Sequence, residues 1–196
     1  MGLNASGSPE LQEQIARFQP EIMRALQKAA DQTRTGAAAA ACDLWFGDSS
    51  GPFMGRLSTM LRKFRSIINT QNINVVFAPL GSRNTNENAA AYYPAGGWNE
   101  YFDFAIASGQ GFTMHLNEAF RRLPIYCIPN PATAMDQSQF ETIVHELSHL
   151  VAGTDDERSG GVTAYGADAA RALARSSPYK AKNNAENWGL FVESFR

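Results

Sequence analysis

Apolar positions recur at helical spacing over three long stretches of the chain. Leu11, Ile15, Phe18, Ile22 and Leu26 make the first stripe, opened by Ser8-Pro9, which caps a helix and places a proline in its first turn. Pro20 lies inside that stretch and removes one backbone donor, so a bend is expected there. Gly36 interrupts the pattern, and residues 37–41 lead into a short helix that should end at Trp45-Phe46-Gly47. Past a turn over residues 48–52, Met54, Leu57, Leu61, Phe64 and Ile68 form the second stripe. Arg56, Arg62, Lys63 and Arg65 decorate its solvated face. The third stripe is Phe140, Ile143, Val144, Leu147, Leu150 and Val151, for which Asp136 and Gln139, three residues apart, read as an N-cap with its capping box.

Shorter apolar runs predict strands. Residues 73–78 are β-branched and aromatic and end at Pro79, and residues 89–93 and 112–116 are two further candidates. A polar loop over 81–88 and a Gly- and aromatic-rich segment around Gly96-Gly97-Trp98 separate them. The Pro-rich segment 123–131 reads as a surface excursion before the third helix. After that helix come a polar, Gly-rich loop over 153–163 and helices near 166–175 and 178–194. Helices gathered around a small twisted sheet make the class α+β. At 196 residues the chain suits one globular unit, with residues 1–40 as an N-terminal helical extension packed on a domain spanning 41–196.

Composition narrows the partners. Hydrophobic residues at 44% and charged ones at 18% indicate a folded domain, and a net charge of −2 offers no basic footprint for nucleic acid. No apolar run reaches the length of a membrane span, and residues 1–10 lack the basic and apolar regions of a signal peptide. Cys42 and Cys127 could form one bridge or stay as two buried thiols, and their spacing is unlike a metal knuckle.

The chemistry sits on the third stripe. His145-Glu146-Leu147-Ser148-His149 places two imidazoles four residues apart, one turn of helix, where both can reach one zinc ion. At 100° per residue they fall opposite the apolar stripe, facing a cleft. Glu146 beside them is the candidate general base, taking a proton from water and passing it to the leaving amine. A catalytic zinc usually has three protein ligands and one open position. The candidates for the third are His115 and the carboxylates of Asp155-Asp156-Glu157.

In these residues the chain resembles the aspzincins, the deuterolysin and peptidyl-Lys metalloendopeptidase family, in which an Asp of a G-T-x-D-x-x-Y-G segment completes a His-His-Asp site. Gly153-Thr154-Asp155-Asp156 matches the start of that segment and Tyr165-Gly166 its end, with six extra residues between. Trp45-Phe46-Gly47, Val76-Phe77, Glu118-Ala119-Phe120, Thr142-Ile143-Val144, residues 169–174 and Asn184-Ala185-Glu186-Asn187 follow the family order over about 44–194. The resemblance implies a zincin-like fold, Zn2+ held by His145, His149 and Asp156, and Tyr165 as a hydrogen-bond donor to the oxyanion. It also implies a substrate pocket in which Glu186 fills the first of two acidic positions and Gly189 leaves the second empty, so that lysine selectivity is weakened. The family's disulfides have no counterpart here, because no cysteine follows the Val75-Val76-Phe77 strand to pair with Cys127.

The expected activity is therefore zinc-dependent endopeptidase cleavage of protein or peptide substrates, with neither nucleic acid nor membrane as partner. The rival is a non-catalytic zinc-binding or partner-recognition module on the same scaffold, which the intact Glu146 disfavours. Sparse cysteines and the character of the N-terminal residues favour delivery by a specialised secretion route, as an effector or toxin domain with an inhibitor or immunity protein as partner.

Overall fold

The computed structural model of the protein describes residues 1–7, 9–77, 89–92, 112–127 and 137–196. Strands Gly2–Ser6 (β1), Asn72–Phe77 (β2), Ala89–Tyr92 (β3) and Phe112–Leu116 (β4) form one mixed sheet in the order β1-β2-β4-β3. β2 lies parallel to both β1 and β4, and β3 runs antiparallel to β4. Ile73 and Val75 on β2 stand opposite Phe112 and Met114 on β4, and all four are buried, as the period of two in a strand requires. The edge strand β1 has no sequence signal, since its short, mostly polar run shows no alternation. Pairing with β2 makes it a strand, helped by Leu3 N–H donating to Gln19 Oε1 at 2.8 Å.

Helix Pro9–Thr35 (α1) runs through Pro20 as one element and buries the predicted stripe against Gly51–Thr70 (α3). Between them, Ala39–Phe46 (α2) stops at Gly47, whose left-handed φ of 63° lets its N–H bond back to Asp43 O. The interior is rich in rings: Phe46 lies 5.4, 5.7 and 5.1 Å from Phe53, Trp188 and Phe191, and Phe64 stacks on Trp188 at 5.6 Å. Each such ring stabilises the fold by roughly 1.5–3 kcal/mol through burial. Cys42 and Cys127 are both buried, and burial pushes the Cys42 thiol up to about 12. Among the described residues, no helix is long and apolar enough to cross a membrane.

After the short helix Glu118–Arg122 (α4), the motif lies on Gln139–Ala152 (α5). Its N-cap is Ser138, whose hydroxyl oxygen accepts from Glu141 N–H at 3.0 Å, while the cap expected at 136 lies outside the described residues. The segments 78–88, 93–111 and 128–136, with the loops expected there, also lie outside. Beyond α5 follow a two-stranded hairpin, Arg158–Ser159 (β5) and Val162–Thr163 (β6), then Ala167–Ser176 (α6), Pro178–Asn183 (α7) and Ala185–Glu193 (α8).

Two expectations change. The final helix is not continuous: Asn184 takes an extended conformation, φ −89° and ψ 120°, and splits it into α7 and α8. Nor is the helix face opposite the stripe away from the packing, because α8 packs along α5 and leaves His145 only 5% exposed.

Candidate active site

The break at Asn184 builds one side of the site. Its extended backbone pairs with Asp155 as an isolated parallel bridge, with Asp155 N–H donating to Asn183 O at 2.8 Å and Ala185 N–H to Asp155 O at 3.0 Å. The Asn184 side chain then accepts from Glu157 N–H at 3.0 Å. Asp156 is thus fixed by its neighbours on both sides, and its carboxylate turns to α5. The adjacent acids turn elsewhere: Asp155 accepts from Asp156 N–H, and Glu157 meets Asn183 and Lys180.

Asp156 Oδ1 lies 3.2 Å from His145 Nε2 and 3.6 Å from His149 Nε2, and the two Nε2 atoms are 3.2 Å apart. A tetrahedral ion with arms of about 2.0–2.1 Å has ligand-to-ligand edges of about 3.3–3.4 Å, so these three atoms have the spacing of three corners around one zinc. The donor set also fits chemically. Oδ1 is buried and accepts no directed hydrogen bond, and it converges with two imidazole nitrogens instead. Burial pushes the Asp156 carboxyl up, but the facing imidazoles outweigh it and hold the group well below the usual carboxylate range. His145 is the converse: burial opposes its charged form, while Asp156, Glu186, Glu146 and Glu141 raise it well above its ordinary value.

Each ring is oriented from behind. Gly153 ends α5 with φ 66°, a left-handed turn that folds Thr154 back so that its carbonyl meets His149 Nδ1 at 2.8 Å. A donor N–H at Nδ1 leaves the Nε2 lone pair free for a metal. Ser148 donates to His145 O at 2.7 Å and contacts the Thr154 hydroxyl at 2.7 Å, which locks the turn to the helix. Glu146 Oε1 lies 3.9 Å from His145 Nε2, at the edge of the same centre. Among the described residues, the other ligand-type atoms gathered this closely are those of Glu141, His145 and Glu186. His115 belongs to neither group; it sits in β4, opposite Val76 and Ala90.

The six extra residues close on themselves. Arg158 pairs with Thr163 and Ser159 with Val162 across Gly160-Gly161, both at positive φ, as a two-residue primed turn requires. Ala164 N–H donates to Glu157 O at 2.9 Å and shuts the base of the hairpin. The chain therefore re-enters where it left, and Tyr165, 43% exposed, donates its hydroxyl to Asp156 Oδ2 at 2.9 Å.

Glu186 is fully buried, with Oε1 accepting from Gly166 N–H at 2.7 Å and Oε2 from Gln137 Nε2 at 3.0 Å, and with Oε2 3.3 Å from His145 Nδ1. Glu141 and Gln137 belong to no segment singled out in the sequence, and the packing of α5 on α8 brings them to the site; Thr154 and Asn184 lie within such segments, but their parts follow from the Gly153 turn and the break at 184.

Residues 31–193 match the aspzincin family model, described as lysine-specific metallo-endopeptidase. An extracellular protease of Aeromonas hydrophila is 36% identical over 110 residues, 55% of this chain, and the chain spans only 28% of that relative. A zinc peptidase from Grifola frondosa shares the fold, with a TM-score of 0.66 at 22% identity over 95% of this chain and 96% of that one. The family match covers most of the chain and leads to one assignment: the chain belongs to the aspzincin family.

Proposed function

We propose that His145, His149 and Asp156 hold the zinc and that Glu146 is the general base of peptide-bond hydrolysis. The carrying observation is the convergence of His145 Nε2, His149 Nε2 and Asp156 Oδ1 at 3.2–3.6 Å, with Glu146 beside them. A zinc ion held by these three residues would supply Lewis acidity, polarising the scissile carbonyl and lowering the pKa of a water toward about 7. Glu146 takes the proton of the attacking water and delivers it to the leaving amine. Tyr165, half-exposed at the rim, exchanges its hydrogen bond with Asp156 for one to the oxyanion of the tetrahedral intermediate, a contact worth about 3–4 kcal/mol at such sites. Substrates are proteins or peptides, and the relative named an extracellular protease supports action outside the producing cell.

The test separates binding from chemistry. Glu146→Gln should retain one zinc per chain and lose peptidase activity by at least a hundredfold, the scale of a general base. His145→Ala, His149→Ala and Asp156→Ala should lose both. Near wild-type cleavage by Glu146→Gln would refute the mechanism, and zinc retained at full affinity without Asp156 would refute the ligand set.

A further inference from the structure

We propose, resting on that ligand set, that Glu186 is a positioning residue whose one buried carboxylate fixes both the ring of His145 and the turn that carries Tyr165. Three segments meet on it. Glu186 belongs to α8, Gln137 and His145 to α5 and its approach, and Gly166 to the residue directly after Tyr165. Gly166 has φ 81° and stands at the N-cap position of α6, so its N–H needs an acceptor from outside the helix; Glu186 Oε1 supplies it at 2.7 Å. An ionised carboxylate is acceptor-only, and the groups facing it are a backbone N–H, an amide NH2 and an imidazole nitrogen that can carry a proton.

His145 gains most from this. Its Nδ1 makes no directed hydrogen bond, and it faces Glu186 Oε2 at 3.3 Å and Glu141 Oε1 at 3.8 Å. Against Glu186 Oε2 the favoured tautomer carries hydrogen on Nδ1, which leaves the Nε2 lone pair pointed at His149 and Asp156. Gly189 is what admits Glu141: a Cβ at 189 would lie 2.3 Å from Glu141 Oε1. Gly189 thus leaves room for the Glu141 carboxyl of α5 behind the histidine.

A substrate ammonium is the competing occupant, and the geometry disfavours it. Glu186 is 0% exposed and both its oxygens are already engaged.

The experiment compares wild type, Glu186→Gln and Glu186→Ala for zinc affinity, by competition between the apo protein and a chelating dye, and for cleavage maps on a denatured protein. Glu186→Ala should weaken zinc by about 10–100-fold, the scale for removing a carboxylate behind a ligating histidine. Glu186→Gln keeps an acceptor for one donor but sets an NH2 against another, so its loss should be smaller; it also carries the test if the alanine variant fails to fold. In both, kcat should fall with KM little changed, and the preference for the residue following the cut should stay as in wild type. Wild-type zinc affinity in Glu186→Gln, or an altered cleavage preference with zinc unchanged, would overturn the proposal. If the wild-type protein itself binds no zinc, the ligand set fails first.

Discussion

At the scale of single residues, the three motif side chains meet because their geometry is local. His145, Glu146 and His149 occupy consecutive turns of one helix, so spacing alone brings them together. The family resemblance implies a substrate pocket at Glu186 and Gly189, but whether a side chain points at solvent or at a neighbouring helix depends on packing that spacing does not encode. Gly189 is a close-approach glycine. Besides the carboxylate contact, a Cβ there would lie 2.8 Å from the Glu141 carbonyl oxygen, which belongs to the α5 backbone and cannot swing away. Gly189→Ala should therefore destabilise the apo protein by about 1–3 kcal/mol, as overpacking does. Glu141→Ala in the same chain should restore only part of that, since the carbonyl contact persists. Urea unfolding of the single and double variants checks it, and wild-type stability in Gly189→Ala would mean that α5 and α8 separate easily.

Among the elements, strong stripes were legible and ends were not. The stripes of α1, α3 and α5 gave their helices because a buried face repeats every 3.6 residues, whereas caps and breaks are decided by one or two side chains. Asp136 and Ser138 are both acceptable caps by type, and the structure uses Ser138. Residues 178–194 read as one helix because Asn184 costs a helix little; tertiary hydrogen bonds outweigh that small propensity. Its side chain takes the Glu157 N–H and donates to Asn187 Oδ1 at 2.6 Å, while its backbone pairs with Asp155. Asn184→Ala removes these side-chain bonds, with a third to Ala164 O, and favours a continuous helix, which would release the segment that presents Asp156. Zinc affinity should fall by about tenfold, within the range for residues that orient a ligand from behind. The apo protein should keep its helical circular dichroism. Unchanged affinity would show that the Asp155 backbone pairing alone places Asp156.

At the scale of the whole molecule, the α+β class followed from alternation and period, but the sheet order did not, because β1 has no signal and pairs with a strand some seventy residues away in sequence (Gly2 with Asn72). Long-range ties between charged side chains are equally hidden. Asp48, in the turn between α2 and α3, meets Lys182 on α7 at 2.5 Å and joins the first third of the chain to its last. The hydrogen bond from Lys182, with a second from Ser50, holds the Asp48 carboxyl down from 3.8 to about 2. A carboxyl whose folded pKa is depressed binds fewer protons when folded, so it adds stability above the unfolded value and loses it as pH falls through the folded one. The pair is partly exposed, so its contribution is limited to about 1 kcal/mol or less. Asp48→Asn should then be less stable than wild type by that amount above about pH 4, and the gap should close as pH falls toward 2. Measuring both in the presence of a chelator makes titration of the zinc ligands common to the two proteins, so it cancels in the difference. A gap that persists undiminished at pH 2 would show that Asp48 acts through packing of the turn rather than through its charge on Lys182.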